Sequence, residues 1–365
     1  MREYLSGDRW LILGVAALLG IGITMVLSTS YLHSQERFAD GTYLFRKQIM
    51  AVTVGMVCLL VAALLSPTTY RSLAYPLLIV TLLTLIAVLI PGIGVVRGGA
   101  RRWLPMAGFL LQPAEFTKLS LVLFLAHSLA KKRKKIDTFT VGVLPHLVIG
   151  GLFLGLILLE PDFGGAFLLG SILSLLLFIA GTRISHLLFT ALVALPVATL
   201  FLVGADYRLK RLFIFLDPWE DASGGGFQII QSYIAFGSGQ LWGRGLGQSR
   251  QKLFYLPEAH TDFVYSVIGE ELGLLGALVV LALFALVVFR GFRLAMRIEE
   301  PFGQYLAFGL TALLGFQSLI HMGVVMGMMP TKGLVLPFIS YGGSAMVVNL
   351  TVVGMLIGLS RRRME

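Results

Sequence analysis

The stretch from Tyr255 to Gly273, YLPEAHTDFVYSVIGEELG, is where a long polar loop ends and an apolar helix begins. Asp262 stands at the junction, with Glu258 and His260 just before it and Glu270 and Glu271 inside the run that follows. A carboxylate where loop meets bilayer can reach a water-soluble group whose lipid anchor stays among the acyl chains. Held against a hydroxyl, it can serve as a general base. Aspartate is also a good helix N-cap, and Thr261 could cap in its place, so the residue types leave both readings open. On a helix, Ser266 and Gly269 share a face with Asp262 and leave room for a substrate. Glu270 and Glu271 come roughly 12–13 Å further along the helix and point away from Asp262. Intramembrane carboxylates are costly and default to function. For these two, hydrogen bonding to neighbouring helices is favoured over catalysis.

Other charged groups have their own chemistry. Glu115 and Lys118, in QPAEFTKLS, are spaced i,i+3. They make either a local ion pair of small value or a phosphate contact in which Glu115 orients Lys118. Asp162 follows Glu160 and Pro161, and could coordinate a divalent cation (Mg2+ or Mn2+) or hold a loop through an arginine. Arg101 and Arg102, beside Trp103, could pair a phosphate with an aromatic sugar platform. Arg208 and Arg211 are three apart and share a helical face, and Arg250 and Lys252 precede Asp262. Lys332 stands before FISYGGS, which contains Ser340; Gly333, Gly342 and Gly343 suggest backbone bent close to something. Arginine forks suit a diphosphate because they bind its oxygens bidentately. Anionic headgroups attract such clusters too.

The elements that must position these groups lie in a bilayer. The 365 residues are 57% hydrophobic and only 13% charged, against roughly 25% charged in soluble domains. A single cysteine, Cys58, excludes an internal disulfide. No HExxH, P-loop or strand-linked GxGxxG is present. Nothing binds a nucleotide, so a reaction must draw on an already activated substrate. A net charge of +10 would suggest nucleic acid in a soluble protein. Here positive-inside loops account for it, and no nucleic acid is expected.

Apolar runs predict about ten spans, near residues 10–27, 48–65, 75–90, 114–130, 141–159, 164–180, 187–203, 263–289, 305–326 and 344–360. The chain reads as one all-α polytopic domain over residues 1–365, with an uncleaved first helix and both termini cytoplasmic. The cytoplasmic segments then carry 15 of the 29 basic residues, including KKRKK at Lys131 to Lys135. The other 14 fall outside, which long loops allow, or which a large anion on the outer face would explain. The segment 204–261 is the one long loop. Its apolar strings FIFLDPW, GFQIIQSYIAF and KLFYLP predict partly helical re-entrant structure between the seventh and eighth spans.

Long motifs in order carry a resemblance. They are GARRWLPMAGFLLQPAEFTKLSL from Gly99, LLEPDFGGA from Leu158, YRLKRLFIFLDPWEDASGGGFQIIQS from Tyr207, GLGQSRQKLFYLPEAHTDFVYSVIGEELG from Gly245 and MMPTKGLVLPFISYGGS from Met328. The chain resembles the SEDS family of peptidoglycan polymerases from end to end. Pro330-Thr331-Lys332-Gly333 and Gln248 to Lys252 look like its division-type or sporulation members rather than the elongation type. His321 and Val335 depart from the division-type pattern.

The resemblance implies polymerisation of lipid II on the outer face of the bacterial cytoplasmic membrane. The donor is a glycan on undecaprenyl diphosphate, and inversion at its anomeric carbon gives a β-1,4 bond. It implies Asp262 as the base and a cationic site for diphosphate among Arg101, Arg102, Glu115, Lys118, Asp162, Arg208, Arg211, Arg250, Lys252, Glu258, His260, Lys332 and Ser340. It also implies a class B penicillin-binding transpeptidase and other division-complex membrane proteins as partners. The rivals are a lipid II flippase and a non-catalytic scaffold. The inner halves of the spans are almost purely apolar, which disfavours a polar path through the membrane.

Overall fold

A computed structural model describes residues 8–106, 109–204, 206–331 and 333–361. The ten expected spans are all helical. They are α1 (Arg9–Phe38), α2 (Tyr43–Leu64), α3 (Pro67–Leu89), α4 (Pro113–Lys132), α5 (Leu144–Leu159), α6 (Phe163–Ile179) and α7 (Ile184–Val203), followed by α10 (Val264–Ala295), α11 (Pro301–Val325) and α12 (Gly343–Arg361). The loop between α7 and α10 is partly helical, as its apolar strings predict. It holds α8 (Asp206–Leu216), a 3-10 turn at Pro218–Asp221, α9 (Phe227–Gly239) and a π turn at Gln251–Tyr255. Seven helices are long and apolar enough to cross a membrane, and the chain is a multi-pass membrane protein. Among these, α5 reaches spanning length together with the π turn before it, Phe139–Leu159; of the others, α6 is shorter, α7 is apolar over Ile184–Pro196, and α4 carries Glu115 and Lys118 near its start.

The helix starts follow their caps. Asp8 accepts from the Trp10 and Leu11 amides at the head of α1. Ser66 caps α3 ahead of Pro67, and Glu300 caps α11 ahead of Pro301, where proline's missing N–H costs nothing.

The distribution of hydropathy is the inverse of a soluble bundle. The central helices α11 and α12 are 83% and 78% buried, yet have mean hydropathies of only 1.6 and 1.7. The most apolar stretches of α3 and α10 are each only 28% buried, with mean hydropathies of 2.4 and 3.0, while the start of α10, 264–271, is buried. The most apolar faces point outward because the solvent there is lipid. Polar groups retreat inward, where partners can satisfy them.

One element was not expected. The α3–α4 connection is a three-stranded antiparallel sheet in the order β1 (Val95–Arg97), β2 (Ala100–Met106), β3 (Phe109–Leu111). Gly98 and Gly99, with φ of 57° and 77°, form the two-residue turn between β1 and β2. This is the mirror-image turn that matches strand twist, and Arg-Gly-Gly-Ala was its signal. The sheet matters to the site because it aims Arg102.

Candidate active site

The site is built around a break in α10. The sequence predicts one uninterrupted helix over 263–289, but Gly273 has φ 69° and ψ −170°, and its backbone leaves the helix. A Cβ there would lie 2.3 Å from the Gly243 amide nitrogen. The residues 239–245 splice into the break and satisfy its orphan groups. Leu274 and Leu275 N–H donate to the Gln240 and Leu241 carbonyls at 2.8 and 3.2 Å. The Glu270 and Glu271 carbonyls accept from the Arg244 and Gly245 amides at 2.9 and 3.0 Å. A short half-helix, 264–272, therefore stands under Asp262, fixed from the side by the loop.

Glu270 and Glu271 clamp that loop. Glu270 accepts from the amides of Arg250 and Gln251 at 3.0 and 3.2 Å and from the hydroxyls of Ser249 and Ser238. Glu271 accepts from Ser28 Oγ on α1 and from Lys252 Nζ, both at 2.8 Å. Both glutamates are buried. The expected hydrogen-bonding role stands, with the loop as the principal partner. Lys252, expected on diphosphate, gives its ammonium to Glu271 and Ser28 and is 7% exposed. The burial of a second charge beside Glu271 is what holds it there.

Asp262 has a different environment. The N-cap of α10 is Phe263, and no side chain caps it. Thr261 Oγ1 turns back to Glu258 Oε2 at 2.9 Å. The Asp262 carboxyl accepts no hydrogen bond from a described residue and keeps partial access to solvent. The turn that presents it is tight. Glu258 has φ 55°, and its carbonyl accepts from the amides of Thr261, Asp262 and Phe263. A left-handed non-glycine residue is strained, and such strain is held at functional turns by surrounding contacts.

Those contacts come from the loop between α11 and α12. Ser340 Oγ donates to the Thr261 carbonyl at 2.7 Å and accepts from the Leu336 amide at 2.8 Å. The Tyr341 amide donates to the His260 carbonyl at 2.9 Å. The loop is itself pinned to α11, where Gln317 Nε2 donates to the Val335 carbonyl and His321 Nδ1 meets the Leu334 carbonyl at 2.6 Å. His321 and Val335, the two departures from the division-type pattern, thus sit in this scaffold. Gly333 comes so close to Asp262 that a Cβ would lie 3.2 Å from Oδ2. Lys332 lies outside the described residues.

Electrostatics favour a proton on Asp262. Burial, then Glu258 and Asp162, push its carboxyl up to about 7, against the opposing pull of Arg102. Glu160 goes further, to about 8, through burial and Asp162, again opposed by Arg102. Both of its carboxyl oxygens lack a partner among the described residues. The sequence reading passed over Glu160; its signal was a carboxylate directly after the apolar run of α5. Burial holds His260 down at about 4 despite Glu258, so it is neutral, flanked by the tilted rings of His33 and Tyr341 with centres 4.9 and 5.8 Å away.

The remaining candidates divide. Arg102 donates from Nε and Nη2 to the Glu160 and Pro161 carbonyls at 2.8 and 2.6 Å, which locks β2 to the α5–α6 turn and sets its charge near Asp262. Arg101 instead bonds the Leu89 carbonyl at the end of α3. Strand alternation sends neighbours to opposite faces, so the expected joint clamp of Arg101 and Arg102 does not form. Asp162 caps α6, accepting from the Gly165 amide at 2.9 Å. Among the described residues no three His, Cys, Asp or Glu side chains gather closely enough to hold a metal ion. Glu115 and Lys118 pair at 2.6 Å, both buried, with Glu115 Oε2 unpartnered. Arg250 and Arg211 are exposed; the Arg208 side chain lies outside the described residues.

Comparison with known proteins agrees with the motifs. Residues 9–365 match the family FTSW_RODA_SPOVE, described as cell cycle protein. The chain is 44% identical over 362 residues to the probable peptidoglycan glycosyltransferase FtsW of Geobacter metallireducens, covering 99% of this chain and 96% of that protein. It is 39% identical over 358 residues to stage V sporulation protein E of Bacillus subtilis, covering 98% and 97%. Among solved structures, it is similar to a chain of a peptidoglycan synthase complex that coordinates polymerization and crosslinking, with a TM-score of 0.80, 29% identity and coverage of 98% and 99%. The rod shape determining protein RodA of Thermus thermophilus superposes with a TM-score of 0.72 at 29% identity, covering 99% of each chain. The chain belongs to the FtsW/RodA/SpoVE family of cell cycle proteins, the SEDS family, on the side of its FtsW-type members.

Proposed function

We propose that this chain is a peptidoglycan glycosyltransferase of cell division that polymerises lipid II, with Asp262 as general base. The observation that carries the reading is the Asp262 carboxyl itself, which caps no helix, accepts no described hydrogen bond and has a proton affinity near neutrality. A base poised near the working pH is half available and still strong enough to take a proton. Asp262 removes the proton from the 4-hydroxyl of the acceptor N-acetylglucosamine as that oxygen attacks the anomeric carbon of the donor glycan. The bond to the undecaprenyl diphosphate breaks, the diphosphate leaves with the electron pair, and configuration inverts. Arg102 and Arg250 supply cationic charge for the leaving group, and Lys332 directly precedes Gly333 in the sequence. The apolar flanks of the bundle hold the two lipid tails.

The reaction faces the outer side of the cytoplasmic membrane. The basic cluster Lys131 to Lys135 forms the last turn of α4 and the 3-10 turn after it, whereas the loop that holds the Asp262 turn through Ser340 meets the start of α4, where Ser344 Oγ accepts from the Gln112 amide. Positive-inside bias puts that cluster, and both termini, in the cytoplasm. A class B penicillin-binding transpeptidase is the fitting partner, since a naked glycan must be crosslinked.

The test is to reconstitute the purified chain with and without a cognate transpeptidase and supply labelled lipid II. Wild type should yield glycan polymer on a gel and Asp262→Ala none, with lipid II binding retained. Polymer from both would remove Asp262 from the chemistry. Polymer from neither, with the partner present and lipid II crossing the bilayer, would overturn the polymerase reading in favour of a flippase.

A further inference from the structure

At the end of the bundle opposite Asp262, a groove of about 670 Å³ opens between α3, α4 and α5. Its floor is Phe124 and Ser128 of α4, both buried, with the Ser128 hydroxyl occupied by His146 Nε2 at 2.9 Å. Its walls are Tyr75 of α3 and Pro145 and Ile149 of α5. The Tyr75 ring stands edge-on to Phe124 and His127, with centres 5.7 and 5.5 Å away, so the wall is a fixed aromatic surface. The mouth is the run from Lys131 to Lys135, five consecutive cations on the last turn of α4 and the 3-10 turn that follows. None of the five pairs with a carboxylate among the described residues. The apolar walls continue into side chains already exposed to lipid, Ile79 of α3 at 55% and Leu152 of α5 at 50%.

We infer that this groove binds an acidic glycerophospholipid of the inner leaflet, its phosphate on the Lys131–Lys135 mouth and an acyl chain against Tyr75 and Ile149. The cationic mouth alone would suit any anion. A concave apolar wall that leads from it into the bilayer surface selects an amphiphile over a free phosphate or an acidic protein. Unneutralised cations at the leaflet surface attract anionic headgroups. The inference goes beyond the polymerase reading and rests on the chain spanning a membrane with its Lys131–Lys135 end inside, as positive-inside bias puts it.

The test uses the full chain in nanodiscs of phosphatidylcholine doped with phosphatidylglycerol, with retained lipid read by native mass spectrometry after detergent exchange. Wild type should retain phosphatidylglycerol over phosphatidylcholine by roughly tenfold or more, and rising salt should release it. Two variants separate the parts: one with the five cations replaced by glutamine, and Ile149→Trp, which fills the groove. Both should lose the preference while keeping the wild-type elution profile. If the multiple variant fails to fold, the salt titration of wild type and Ile149→Trp decide. No preference in wild type overturns the inference. Displacement by inorganic phosphate, or a preference that survives Ile149→Trp, reduces the site to a simple anion patch and also overturns it. Capture of a polyglutamate peptide without lipid discrimination assigns the mouth to a protein and overturns it equally.

Discussion

Asp262 and the pair Glu270–Glu271 lie within nine residues of one another, yet the fold treats their carboxylates in opposite ways. The glutamates are buried and collect donors from three other segments: α1 through Ser28, the end of α9 through Ser238, and the loop 249–252. Asp262 is partly exposed and collects none from the described residues. A carboxylate whose lone pairs are filled by fixed donors is a strut, because displacing it would leave several buried donors unmade at once. A carboxylate surrounded by other carboxyls and left unbonded holds its proton near neutrality and exchanges it. Hydrogen-bond satisfaction separates the two struts from Asp262, and solvent access separates Asp262 from Glu160, which is also unbonded among the described residues but fully buried.

The comparison is broken most directly by removing the Asp262 charge. Asp262→Asn should lower polymerisation by roughly 10²–10⁴-fold, measured as lipid II turnover. Its thermal unfolding should not shift downward, because a carboxyl pushed up to about 7 gains nothing from ionising in the fold. A large stability loss would make Asp262 a strut after all. The pH profile is the second test. The base works as carboxylate, so turnover should rise with pH through about 7 and fall about tenfold per pH unit below that. A profile flat from pH 5 to pH 8 would exclude it.

For the struts the signs reverse. Glu271→Ala leaves the buried Lys252 ammonium unpaired and should cost about 3–5 kcal/mol in an unfolding titration. Adding Lys252→Met should recover much of that loss. Failure of the double variant to recover would show that the pair is not what holds the loop. Glu160 gives the smallest effect and sharpens the boundary. Its carboxyl is raised from 4.5 to about 8, so the unfolded chain releases that proton first. Stability therefore falls as pH rises between those values and is unaffected below them. Glu160→Gln should remove this slope, giving no gain near pH 4 and a gain on the order of a few kcal/mol near pH 8.

Much of this was legible before any coordinates. The ten helices follow from apolar runs, and the helical content of the 204–261 loop follows from its apolar strings. Three features were not read. The break at Gly273 is invisible because glycine is common in membrane helices and only the splice by 239–245 makes the kink favourable. The sheet at 95–111 is carried by strands of three to seven residues, too short for periodicity to register. The division of Arg101 from Arg102 depends on that sheet, because strand alternation decides which arginine faces Asp262.

Composition and motif order established a membrane-embedded SEDS chain with an acid at a loop–helix junction, because hydropathy and long motifs are properties of local strings. Which charges are free to act was set only when the chain closed on itself. Lys252 is neutralised by a glutamate 19 positions on and a serine 224 positions back, and the Asp262 turn is held by Ser340, 79 positions beyond Thr261. A side chain's chemistry depends on whether its polar atoms are already bonded. In this protein the bonding partners arrive from distant helices.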